Sequence, residues 1–549
     1  MNKIKTRISE YFSVGLNKYR FITIILFLLV ITLLAWQSDD AYHAYAMAKN
    51  LVDGNGFVYN IGERATASSC PLFTLVIALG YFFIRHMFLV SLLICIIFSI
   101  SAYSIVVHRF CKDKKQVIIA FFTLLCSSSF ISYTTSGLEN SMLYFLAALF
   151  LSKYFSLEKY NAKDMFYMAI LISLIAMTRM DAVLMFVPMI LYVYLAKRDN
   201  VSFAKAVVLG LSGLSPFVLW ELFSLFYYGF FVPNTAFVKL GTNIPKHDYI
   251  VRGCQYVFNT IICDPIVLFI PFVCVIFLIF TKKFKNIHLA LGVVLYGLYI
   301  IYIGGDFMMG RHFTVMFLMS VIGLIYFANS ELSDKDTGLV EYRTLGSKLI
   351  AAVITCCVVY SMTTNVITTQ FEFGQNFNSP ISDERGTYFK WTSLFNNAVS
   401  YINTGHMCIT SAWNDQGVQD LIEADLDSGI LKMVPGITKY DHNDMYLNDL
   451  YGLGDPYLSK LPAVYEEGWR IGHMYREAPE GYYESIMFGG NQIRNEAASE
   501  YYDVIRLITH GDLFDSERIK AIIDINLGKY DYLIDEYKSS LDENNRQIN

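Results

Sequence analysis

The chain has 549 residues, of which 54% are apolar and only 17% charged, with a mean hydropathy of +0.40 and a net charge of −5. An ordinary water-soluble enzyme of this length needs more charged surface, and a disordered chain needs lower hydrophobicity, so both are excluded. The modest net charge hides a split: residues 1–366 carry 29 Lys and Arg against 19 Asp and Glu, whereas residues 367–549 carry 14 against 29.

Apolar runs near the length needed to cross a bilayer recur through the first part. In chain order they are 21–37, 87–107, 117–133, 141–155, 165–178, 182–196, 205–228, 264–280, 289–303, 313–328 and 348–366, eleven candidate spans. Ala35 and Trp36 offer no small-residue cleavage site, so the first run is expected to stay as an anchor. With the N-terminus cytoplasmic, 21 Lys and Arg fall on the inner side against 8 on the other. That orientation requires 71–85 to be an interfacial or re-entrant helix, and it leaves 367–549 outside. Cys254 and Cys263 share an outer loop and are candidates to pair; no Cys/His array has metal spacing.

Polar residues gather at the outer ends of the spans. In the first outer loop, 37–86, Ser38 is placed to cap a helix from Asp39 with the apolar stripe Ala41, Tyr45, Ala48 and Val52. This predicts an amphipathic helix on the membrane surface, closed by Asp53-Gly54 and followed by an extended segment over Phe57–Ile61. Two adjacent acids at a helix start complement its dipole, and that reading alone is sufficient for many surface helices. Directly beyond a span, a carboxylate is also placed to act as a general base toward a hydroxyl. Further clusters are TSGLEN with Glu139 and Asn140, TRMD with Arg179 and Asp181, VPNTAFVK with Asn234 and Lys239, and GGDFMMGRH with Asp306, Arg311 and His312. For TRMD a local ion pair in a tight turn is the competing reading. Acid, amide and guanidinium groups converging on one face suit a phosphate at the lipid–water boundary.

The first outer loop, together with TSGLEN, TRMD, VPNTAFVK, GGDFMMGRHF, DLYGLGDPYLSKLP and WRIGHMYREAPEGYYES, resembles membrane glycosyltransferases of the GT-C superfamily. Within it, the pattern is similar to the polyprenyl-phosphate-dependent arabinofuranosyltransferases of mycobacterial cell-wall assembly. TRMD stands where relatives often carry Thr-Arg-Pro-Glu, and SSCP where Thr-Ser-Pro is commoner. The resemblance implies a GT-C transmembrane catalytic domain over 1–366 and an extracytoplasmic α/β domain over 367–549 in a bacterial inner membrane. It implies an inverting transfer from a polyprenyl-phosphate-linked sugar to an outer glycan or glycoprotein. Asp39 matches the usual base and Asp40 is the alternative. Arg311, Lys239, Arg179 and His312 are the phosphate candidates. His43, Arg64, Glu139, Asn140, Asp181, Asn234 and Asp306 are the candidates for sugar and substrate.

The donor carries its own activation, so no nucleotide motif is needed, and neither GxGxxG nor a P-loop occurs. Asp39 and Asp40 have no third ligand nearby in the sequence, so no metal is assigned. In the acidic C-terminal part, HMCITSA (406–412) and ILKMVPG (430–436) read as extended, and 456–466, 494–509 and 515–526 as helical. Tyr451, Asp455, Trp469, Arg470 and His473 are the acceptor candidates, and an acidic face is unsuited to nucleic acid. A transporter or flippase of lipid-linked sugars is the alternative from another class. It would show an internal repeat and mid-membrane charges; Glu221 is the main acid deep within a span, and no repeat is found.

Overall fold

A computed structural model describes residues 14–242, 244–280, 284–333, 380–408, 430–432, 436–466 and 468–548. The expected span 348–366 lies outside them. The fold is built from apolar helices. The first is α1 (Gly15–Leu33), followed by α2 (Ala41–Val52), α3 (Pro71–Ile84) and α4 (Met87–Ile105), which runs on as a π turn to Phe110. Next come α5 (Lys114–Leu125), α6 (Ser128–Ser132), α7 (Asn140–Ser156) and α8 (Ala162–Thr178). After the 3-10 turn Met180–Met185 come α9 (Val187–Ala196), α10 (Phe203–Gly213), α11 (Ser215–Tyr228), α12 (Asn234–Leu240), α13 (Lys246–Cys263), α14 (Pro265–Phe280), α15 (Phe284–Tyr302) and α16 (Phe313–Ser333).

α7 is the axis of this body. It is buried almost all round and packs on α4, α8 and α16. Outer helices instead expose apolar residues, among them Leu29, Leu93, Val208, Leu211 and Leu219, the kind of surface that lipid covers. Among the described residues, α1, Met87–Phe110 and Lys285–Tyr302 are long and apolar enough to cross a bilayer. Two bent pairs, α10 with α11 at 50° and α13 with α14 at 106°, raise that number to at most five. Several expected spans are shorter or broken. The run 117–133 breaks at Cys126-Ser127, where Ser127 caps α6, and 182–196 begins as the 3-10 turn. α3 is a separate 14-residue helix with one face buried and Phe82 and Phe83 exposed.

The first loop departs from expectation. α2 begins at Ala41, not Asp39, and the Ser38 hydroxyl caps nothing; it is buried without a hydrogen-bond partner, while the Ser38 N–H donates to Ser136 O at 2.8 Å. α2 is also no surface helix. Tyr42, His43, Ala46, Met47 and Asn50 are buried along with the predicted stripe residues Ala41, Tyr45 and Ala48. Its second face is covered by a segment nearly 400 residues later in the sequence, where α19 (Gly436–Asp441) lies on it. Phe57–Ile61 forms no strand; Asn60 instead holds Leu447 through two bonds of 3.0 Å.

The C-terminal part comprises α17 (Glu384–Thr392), α18 (Leu394–Thr404), β1 (Ile430–Lys432), α19, β2 (Tyr446–Asn448), α20 (Tyr482–Phe488), α21 (Glu496–His510), α22 (Ser516–Asn526) and α23 (Asp531–Ile548). β1 and β2 pair in parallel, with α19 as the crossover. Residues 406–408 form no strand, and 409–412 lie outside the described residues. The helix expected over 456–466 is a single turn, Leu458–Lys460, whereas α21 and α22 match expectation closely. Cys254 and Cys263 are free. Both lie on α13, and nine residues of helix separate them by about 13 Å, beyond the reach of a disulfide.

Candidate active site

The loops at one end of the helical body enclose a cavity of about 390 Å³. Asp40 and His43 enter from the start of α2, Glu139 from the N-terminus of α7, and Arg179 and Asp181 from the turn after α8. Lys239 comes from the last turn of α12, Arg311 and His312 from the turn before α16, and His473 from the C-terminal part. Six clusters separated by up to 433 residues thus meet at one site. The opposite wall is apolar, made by Leu184, Phe217, Trp220 and Ile303, and it runs out through Phe231 and Leu240 to the exposed apolar exterior.

A buried ionic network forms the polar floor. Arg311 Nη2 donates to both carboxylate oxygens of Glu139, at 3.0 and 3.1 Å. Arg179 reaches the same carboxylate from the other side at 2.9 Å and bonds Asp181 through Nε at 2.9 Å. Its Nη2 lies 3.0 Å from the His312 ring nitrogens, and His312 Nε2 lies 3.2 Å from Asp306. Asn140 accepts from Arg311 Nε at 3.4 Å and donates to Arg311 O at 3.3 Å, fixing that side chain at both ends. Planar guanidinium forks suit this bridging, which an ammonium cannot reproduce.

Burial opposes every charge here, and around the three carboxyls the partners outweigh it. Burial would raise the carboxyls of Glu139 and Asp181, but the two arginines hold Glu139 down, and Arg179 and His312 hold Asp181 down. Asp306 lies well below the usual carboxylate range for the same reason, with Lys239 and His312 the opposing influences. Burial and Arg179 push the His312 imidazole down, opposed by Asp306 and Asp181. The guanidiniums of Arg179 and Arg311 are thus already claimed by Glu139, Asp181 and Asp306.

Two groups at the polar end of the cavity have no direct partner, although Lys239 acts on Asp306 and Asp181 at longer range. Among the described residues the Asp40 carboxylate accepts no hydrogen bond and forms no ion pair, and neither does the Lys239 ammonium donate one. Asp39 is different. Its oxygens accept from Gly436 N at 3.1 Å and Ile437 N at 3.0 Å, so it is tied to the start of α19 and does not line the cavity. Burial raises its carboxyl to about 6, opposed by the Ile437 bond and by His43. His43 itself is held by Tyr59 OH at 2.8 Å.

The remaining sequence candidates lie elsewhere. Arg64 donates to the carbonyls of Ile508 and Gly511, away from the cavity. Asn234 is buried at the start of α12 behind the lining, its Nδ2 without a partner, and Asp306 sits beneath Arg311 and His312. Of the acceptor candidates only His473 lines the cavity, with its ring against Phe307 at 4.2 Å and Tyr451 at 5.3 Å. Trp469 packs on Tyr249, Arg470 lies over Phe307 with Nε and Nη2 unpartnered, and Asp455 accepts from Tyr482 and two backbone N–H groups inside the C-terminal core. Sequence reasoning missed Tyr59, Trp220 and Tyr299, because nothing local distinguishes them from the many other aromatics. Among the described residues no group of three or more His, Cys, Asp and Glu is arranged to hold a metal ion.

Residues 71–220, from the start of α3 into α11, match the family model described as dolichyl-phosphate-mannose-protein mannosyltransferase. That is a family of GT-C-type glycosyltransferases, and over this stretch the chain is similar to them. No curated protein matches the chain, and no solved structure does.

Proposed function

We propose that the protein is an inverting glycosyltransferase that moves a sugar from a polyprenyl-phosphate donor to a glycan or glycoprotein on the outer side of a bacterial inner membrane. The observation that carries this reading is the pairing, in one cavity, of an unclaimed carboxylate and an unclaimed ammonium beside an apolar wall that reaches the lipid-facing exterior. Asp40 is the base. It takes the proton of the acceptor hydroxyl as the oxygen attacks the anomeric carbon, and the bond from that carbon to the phosphate oxygen breaks on the opposite face. Polyprenyl phosphate leaves with the electron pair, its charge met by Lys239 with Arg179 and Arg311 behind it. Asp39 and Asn140 position: the first ties the Asp40 backbone to α19, and the second holds Arg311. The prenyl chain follows the wall of Phe217, Trp220, Phe231 and Leu240.

Arabinofuranose, from the sequence resemblance, is the first donor to try, and mannose, from the matched family's description, is the second. The test is transfer of labelled sugar from synthetic polyprenyl-phosphate donors by purified protein. Asp40→Asn should lower kcat by roughly 10²- to 10⁴-fold without loss of folding. Full activity in that variant sinks the assignment of the base; donor binding with no turnover in the wild-type protein, and transport of the donor instead, sinks the enzyme reading in favour of a flippase.

A further inference from the structure

A second cavity of about 320 Å³ shares no lining residue with the first. Its walls include Tyr446, Tyr457, Tyr482 and Tyr502, with the carboxyl of Glu63 and the side chain of Arg506. The aromatic wall is rigid. Tyr502 packs edge-on against Tyr457 at 5.2 Å and Tyr482 at 5.8 Å between ring centres. Three of the hydroxyls are fixed from behind: Tyr446 donates to Glu63 at 3.1 Å, Tyr457 to Ala498 O at 2.9 Å, and Tyr482 to Asp455. What these tyrosines offer a ligand is therefore chiefly ring surface.

Glu63 is buried, and burial together with the neighbouring Asp455 raises its carboxyl to about 8. A buried carboxyl group and a guanidinium beside aromatic faces match a ligand with apolar C–H faces and a rim of hydroxyls. A purely apolar ligand would leave Arg506 unmatched, and a phosphate at Arg506 would have the Glu63 carboxyl beside it. The position is equally informative. Tyr59 meets His43 in the wall of the first cavity, and only four residues of chain, at most about 14 Å of extended backbone, separate it from Glu63. The same loop thus carries both sites.

We infer that the second cavity seats a sugar of the acceptor several units away from the hydroxyl at Asp40, so that the protein acts on an oligosaccharide chain rather than on a lone sugar or amino-acid side chain. This rests on the transfer reading above. The test uses the full chain in detergent and, as probe, size-fractionated glycan released by mild acid from the envelope of cells that make the protein, with binding followed by saturation-transfer NMR in the absence of donor. Wild-type protein should bind oligosaccharide fractions and not the monosaccharide fraction. Tyr502→Ala and Arg506→Ala should each weaken binding at least tenfold, and Tyr502→Phe should restore it. If Tyr502→Ala does not fold, Arg506→Ala decides the matter. Absence of binding by any fraction, equal binding of monosaccharide, or wild-type affinity in both alanine variants overturns the inference. Transfer from the lipid donor is measured separately. Turnover with binding insensitive to these variants removes the second site alone, whereas variant-sensitive binding with no turnover removes the transfer reading alone.

Discussion

At the scale of the residue, neighbouring carboxylates divide the work. Asp39 faces the N–H groups of Gly436 and Ile437, and Asp40 faces the cavity. The adjacent acids were legible in the sequence as a candidate base, but which of them is free was not, because the partner that claims Asp39 lies nearly 400 residues away. The division has a pH signature. The Asp39 carboxyl is raised in the folded protein to about 6 from an ordinary 3.8, so the folded state binds its proton first. Stability from this group is therefore gained as pH falls through 6 and is complete below 4. Between pH 7 and pH 4 the difference in unfolding free energy between wild-type protein and Asp39→Asn should move in the wild type's favour, by up to about 3 kcal/mol. A denaturant titration at each pH reads this out, and a pH-independent difference would refute the buried, tied carboxyl. Lys239 gives a second residue-scale expectation. Lys239→Met should raise the donor KM about tenfold or more, and Lys239→Arg should recover most of it, as a charge-assisted contact to phosphate requires.

At the scale of the element, the feature that matters is the close seat of α2 against the TSGLEN turn. Gly137 has φ +78°, and a side chain there would meet the Tyr45 hydroxyl and lie 2.9 Å from the Ala41 methyl. Gly137→Ala should cost about 1–3 kcal/mol for the left-handed conformation alone. Because Ala41 adjoins Asp40, it should also depress kcat; a thermal melt and the transfer assay check both, and wild-type values in each would refute the tight seat. The same element shows where sequence patterning fails. The stripe Ala41, Tyr45, Ala48 and Val52 was read as the apolar side of a helix on the membrane surface; the first three are instead buried within the protein and Val52 is half-buried, and period alone describes one face. Tyr42, His43 and Asn50 on the other face gave no sign that Tyr440, Tyr59 and Asn443 would meet them, since polar residues beside a solvent face and beside a buried turn look alike. Helices α21 and α22 were readable because each carries its own Asn or Asp cap and a one-sided apolar stripe.

At the scale of the whole molecule, the charge split in the sequence becomes an orientation that labelling can test. Cys254 is the exposed cysteine among the described free ones, and it lies on α13 in a connection assigned to the outer side. In intact cells a membrane-impermeant maleimide should label the wild-type chain, and Cys254→Ala should reduce that labelling to what the half-buried Cys263 and Cys408 take up; labelling only after permeabilisation would invert the topology. The apolar helices and the converging loop motifs were visible in the sequence. The count of crossings was less so, since several runs fold as short or bent helices around α7. The C-terminal part was expected as a separate domain, yet Asn60, Arg64 and Asp39 bond directly to it and Asn526 bonds back to Gly229 O at 2.7 Å.

The balanced floor of the first cavity bears on how a catalytic cycle ends. Glu139, Asp181 and Asp306 already neutralise the two guanidiniums, so in the proposed transfer a departing lipid phosphate would compete with resident anions for them and be met chiefly by Lys239. On that reading the arginines would retain the product weakly, and spent carrier lipid should dissociate readily and inhibit poorly. Removing one resident anion, as in Glu139→Gln, would then slow each round at the exit rather than at bond cleavage.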